Sequence, residues 1–137
     1  MLDFDIAVKR YIGAKITHIA MESDQYNTYL SIFFEDGRKI RIFDSASYCC
    51  EYRYMATDDF LGELVGETII KIELKDGPEE DNEDAGEYKE IQFLEITTSG
   101  GFATLKNYNV HNGYYGGFDV CLVDITDEPK FKTEPTF

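Results

Sequence analysis

Tryptophan is absent from this chain of 137 residues, and cysteine occurs only three times, twice in adjacent positions. An odd, partly vicinal set does not make a disulfide framework, so reduced thiols are expected. No apolar run approaches the roughly 20 residues of a membrane-spanning helix. The opening MLDFDIAVKR places acids before bases and breaks its apolar stretch, unlike a signal peptide. An intracellular, cytoplasmic protein is the expectation. Basic residues are scarce as well: 13 against 27 acidic ones, for a formal charge of −14. Such a surface repels the nucleic-acid backbone and excludes ordinary DNA or RNA binding. It leaves room for solubility alone, or for attraction of a basic protein.

What the chain does have is 43% hydrophobic residues, enough for a core, and 15% aromatics made of ten Tyr and ten Phe. Aromatic side chains fit a pleated, half-buried surface, so the composition leans toward β-structure.

A repeated plan runs through it. IGAKITHIAM (12–21) and VGETIIKIEL (65–74) share a spacing that matches Ile12 with Val65, Gly13 with Gly66, Ile16 with Ile69, Ile19 with Ile72 and Met21 with Leu74. Each follows a segment of helical character, DFDIAVKRY and TDDFLGELV, the second with Thr57 or Asp58 as its cap. Each glycine sits where a helix stops and a strand begins. Downstream, 29–43 reads as a hairpin around Asp36-Gly37, and 90–105 as a hairpin around Ser99-Gly100-Gly101. Irregular aromatic stretches follow at 45–55 and 107–117, and 118–125 closes the chain as one more strand. The expected fold is α+β, a mostly antiparallel sheet or half-open barrel from two helix–strand–hairpin–loop repeats with two short helices. It forms a single domain over residues 1–126, with repeats at 3–55 and 57–117 and a C-terminal arm at 127–137. The acidic insertion DGPEEDNEDAGE (76–87) lacks the spacing of an EF-hand loop and reads as a solvated loop.

The chemistry-bearing residues gather in the two aromatic stretches. Cys49, Cys50, Cys121, His18 and His111 are the soft or imidazole groups, but the vicinal cysteines do not give the paired spacing of a zinc site, so no metal is expected. A Cys50–His111 thiolate pair oriented by Asn109 would need positive surroundings that a chain of this charge supplies poorly. Ligand recognition suits the residues better. Tyrosine faces stack on flat rings, Arg53 offers a fork for an anion, and asparagines read amide-like edges. The candidate ligand-binding residues are Arg53, Tyr54, Asn109, His111, Asn112, Tyr114 and Tyr115, with no catalytic residue and no cofactor. The same run also reads as a wide turn whose tyrosines pack on the sheet end.

YCCEYRYMATDD (48–59) together with NVHNGYYGGF (109–118) resembles an uncharacterised family of small acidic bacteriophage and prophage proteins; the likeness covers residues 45–120. That resemblance implies a counter-defence setting in the cytoplasm of a bacterial host cell, by analogy of context. The expectation is a non-enzymatic protein, a homo-oligomer, that sequesters a nucleotide-derived small molecule between its aromatic loops. The alternative is an acidic inhibitor that mimics nucleic acid and binds a basic host defence protein. A small Cys/His hydrolase is the third reading.

Overall fold

The computed structural model describes residues 3–25, 27–47, 51–82, 86–113 and 116–128. Alternation of side chains decides most of it. In β2 (Thr28–Phe34), Leu30, Ile32 and Phe34 are buried, and in β3 (Lys39–Asp44) Ile40 and Ile42 are. β1 (Ile16–Ser23) contributes Ile16 and Ile19. These three strands form a meander, and the last strand, β8 (Val120–Asp124), pairs antiparallel with β3 to give the order β1-β2-β3-β8. The second sheet repeats the design. β5 (Ile69–Asn82), β6 (Glu87–Thr98) and β7 (Gly101–His111) form a meander, and β4 (Tyr52–Ala56) closes it on β7, in the order β4-β7-β6-β5. Each half of the chain thus lends its final strand to the sheet of the other half. One core lies between the sheets, with Ile32, Ile40, Leu94, Ile96 and Leu105 all fully buried. Burying each such side chain contributes about 1.5–3 kcal/mol.

The spacing of 53 residues that relates Gly13 to Gly66 also relates the backbone contacts. Gly13 N–H donates to the Ile69 carbonyl at 2.7 Å, and Gly66 N–H donates to the Ile16 carbonyl at 2.8 Å. Ile69 N–H reaches the Ala14 carbonyl and Ile16 N–H the Glu67 carbonyl, each at 2.9 Å. Lys15 bridges Thr68 between them. Bulges fall at Ile16/His18 and Ile69/Lys71, again 53 apart. The two junctions therefore face each other across a local two-fold relation.

The α+β expectation is corrected. Among the described residues, strands make up more than half, in two antiparallel sheets with no closed barrel, so the fold is essentially all-β. One short helix, α1 (Phe4–Lys9), packs against β5 and β8. The second expected helix is a single 3-10 turn, Leu61–Leu64, against β1 and β7. Gly62 weakens the helix there, and four residues cannot repay the cost of nucleation. Neither Thr57 nor Asp58 caps it. The Thr57 hydroxyl instead donates to the Thr104 carbonyl at 2.8 Å, and the Asp59 carboxylate accepts Thr104 N–H at 2.7 Å. These side chains take over β7's backbone groups where β4 ends.

Two further expectations change. The acidic segment is strand through Asn82, paired with β6 up to Asn82–Glu87. Its Gly77-Pro78 pair sits in a bulge on an edge strand, where a missing N–H is tolerated. Residues 107–111, expected to be irregular, continue β7. The C-terminal arm beyond residue 128 lies outside the described residues. Among the described residues, no helix is long and apolar enough to cross a membrane.

Candidate functional site

The inward row of β7 changes character along its length. Ala103 and Leu105 are apolar; Asn107, Asn109 and His111 are polar, and all five are buried. Opposite them on β6 the row runs Ile96, Leu94, Gln92, Glu90, and on β4 Arg53 faces Asn109 while Met55 faces Asn107. One end of the core is thus a polar seam. Buried polar groups are costly unless paired, and here most are.

Arg53 is the centre of that pairing. Its Nε and Nη2 grip Glu51 through two parallel bonds of 2.9 Å, and its Nη1 reaches Asp44 at 2.7 Å and the Gly117 carbonyl at 3.0 Å. The Arg53 side chain is only 9% exposed. Burial by itself would lower its pKa; the bonds to Glu51 and Asp44 outweigh that and hold the guanidinium above its usual value. Asn109 Nδ2 donates to the same Gly117 carbonyl at 3.1 Å and to Glu51 at 3.4 Å.

His111 is fixed from both sides. Gly113 N–H donates to Nδ1 at 2.9 Å, so Nε2 carries the proton that meets Glu90 at 2.7 Å. Its ring stacks on Tyr88 with centroids 5.7 Å apart. Glu90 also accepts Gly117 N–H at 3.1 Å. The loop after β7 is therefore fastened back onto the sheet at its start by His111 and at its end by Glu90, Arg53 and Asn109. Gly116 lies so close that a Cβ there would run into the Glu90 carboxylate.

The structure divides the expected ligand residues. Arg53, Asn109 and His111 share the inner face and are joined to protein partners. Tyr54 points to the opposite face, stacked on Tyr108 at 4.6 Å and flanked by Tyr52 at 4.9 Å, with the Lys89 ammonium over Tyr108. Asn112 is exposed on the loop. Tyr114 and Tyr115 lie outside the described residues, as do Cys49 and Cys50. The segments that carry these residues do meet, since Arg53 pairs with Asn109 across β4 and β7, and they meet through hydrogen bonds. Sequence reading missed Asp44, Glu51 and Glu90. For Glu90 a signal existed: it continues the period-2 row Ile96-Leu94-Gln92.

Two open hollows flank the seam. One, of about 440 Å³, is walled by Gln25, Asn27, Ser45, Ser47, Glu51 and Arg53, among others. The other, of about 420 Å³, is walled by Asp76, Glu79, Glu90, Gln92 and Gly117, with their neighbours. Among the described residues no group of three or more His, Cys, Asp or Glu side chains is placed to hold a metal. Cys121 is half-buried, and burial pushes its thiol pKa up, away from thiolate chemistry.

A family model described as a domain of unknown function (DUF7448) matches residues 9–120, and the chain belongs to that family. No curated protein and no solved structure matches the chain.

Proposed function

We propose that this DUF7448 member is a protein-binding module whose acidic β5–β6 ribbon engages a basic surface of its partner, as a mimic of nucleic acid. The observation that carries the reading is the form in which the acids are held. Residues 76–90 contain eight acidic residues and one lysine, half of the net charge of −14. Six of the acids, Asp76, Glu79, Glu80, Asp81, Glu87 and Glu90, lie on paired strands rather than on a loose loop. Asp76, Glu79, Glu80 and Glu87 are exposed, and among the described residues none of them forms an ion pair. Acids at alternate positions of a strand share one face about 6.8 Å apart, twice the axial spacing of charge along one strand of DNA, so the ribbon presents a regular row of negative charge. Arg53, the residue a nucleotide phosphate would need, is already held by two carboxylates, which weighs against the small-molecule reading. The resemblance to phage proteins favours a host defence protein as the partner.

The test is affinity for an arginine-rich peptide, followed by anisotropy as salt is raised. Affinity falls steeply with salt, and Glu79, Glu80 and Glu87 changed together to Lys weaken binding about tenfold or more. The control is Asp5, Asp58 and Glu63 changed together to Lys, the same charge change at exposed positions elsewhere. Equal losses in both triple variants would mean that binding follows net charge alone and would sink the reading. A rise in melting temperature with a nucleotide panel would restore the small-molecule alternative.

A further inference from the structure

Asn107 is 1% exposed, and its Nδ2 has no protein acceptor. Such a donor costs stability unless something accepts from it. Beside it is a hollow of about 10 Å³, walled by Asn27, Thr28, Asp44, Arg53, Tyr54, Met55 and Asn107. That is close to the room one water needs, and a buried water needs two to four polar partners. We propose that this hollow is an ordered-water site, in which the water accepts from Asn107 Nδ2 and donates to the Asp44 carboxylate. The chemistry of the site favours water over an ion. The unpartnered group at Asn107 is a donor, which repels a cation, and the Asp44 carboxylate repels an anion, so a neutral molecule that both donates and accepts is what these groups can use. Asp44 ends β3 in the first sheet and Asn107 lies on β7 in the second, so the water links the two sheets at their polar end. Asn27 and Arg53 also wall the larger hollow of about 440 Å³, so the two hollows adjoin.

The test is water–protein NOE spectroscopy on the intact chain. The Asn107 side-chain amide and the Met55 methyl, which share the hollow, should both show direct NOEs to a water whose residence outlasts molecular tumbling. Asn107→Leu keeps the branching at Cγ but is larger and lacks the donor, and the Met55 NOE should vanish in it while its amide spectrum stays dispersed. Absence of the NOEs in the unaltered protein would overturn the assignment, as would their persistence at Met55 in Asn107→Leu. Should that variant fail to fold, the unaltered protein still decides: a through-bond coupling from the Asn107 amide to a protein acceptor would replace the water.

Discussion

Arg53 Nη1 lies 3.0 Å from the Gly117 carbonyl oxygen, and this contact joins the strand after the cysteine pair to the end of the glycine-tyrosine loop. The two segments are 64 residues apart in the chain. The same guanidinium ties down two carboxylates, so the loop is anchored to an ion-pair cluster in the interior.

Loss of Arg53 therefore exposes a conflict. Glu51 and Asp44 are 2% and 9% exposed, and Arg53→Met leaves both carboxylates without their cation. Removing one partner from a buried pair costs about 3–5 kcal/mol. Urea unfolding should show a loss of that order. Arg53→Lys should recover only a small part, because an ammonium cannot reproduce the two-pronged grip on Glu51. A variant as stable as the unaltered protein would mean that the cluster is hydrated and contributes nothing.

Gly116 tests the other anchor. A methyl group there meets the Glu90 carboxylate and comes within 3.6 Å of His111 Nε2. Gly116→Ala should cost about 1–3 kcal/mol, the usual range for forcing an extra group into a packed site. It should also shift the His111 ring resonances, because Glu90 must give way. Unchanged His111 signals in a folded variant would show that the loop is not fastened at Glu90.

The strands were legible wherever one face is apolar and the other polar. Ile40-Ile42 and Leu94-Ile96 alternate with polar or half-exposed neighbours, and the tight turn at Asp36-Gly37 marks its hairpin. The 53-residue spacing was legible because Gly13 and Gly66 stand at junctions that need a positive φ. The polar seam was not. Asn107, Asn109 and His111 keep the alternation of β7, yet they are the wrong polarity for a buried row, and so the stretch reads as loop. The role of Arg53 was hidden for a related reason. An arginine in a sequence offers a fork, and only the fold reveals that Asp44 and Glu51 fill it.

Alkaline pH should weaken the fold through Tyr11. Its ring is buried against Phe34, and its hydroxyl donates to Asp124 at 2.7 Å. Burial first, and the bond to Asp124 second, raise its pKa from 10.0 to about 12. The folded state therefore holds a proton that the unfolded chain gives up sooner. The resulting stability is complete below pH 10.0 and is lost as pH rises through about 12. Unfolding free energies across that interval should fall more steeply for the unaltered protein than for Tyr11→Phe. Parallel slopes would remove Tyr11 as the cause and leave the remaining tyrosines to account for any decline.

The two-fold relation at the strand junctions makes the most restrictive prediction. Gly13 and Gly66 have φ of 87° and 90°, and no atom lies within 4 Å of where either Cβ would stand. Space is therefore open at both, and only the left-handed backbone resists a side chain. For L-residues that resistance is about 1–2 kcal/mol. Gly13→Ala and Gly66→Ala should each lose that amount, and the two losses should agree to within about 0.5 kcal/mol, near the limit to which independent effects are compared. The positions differ in everything else, one following a true helix and the other a single 3-10 turn. Equal costs would therefore report the shared junction rather than the elements that lead into it. If one alanine is tolerated while the other unfolds the chain, the reciprocal bonds from Gly13 to Ile69 and from Gly66 to Ile16 do not make the junctions equivalent.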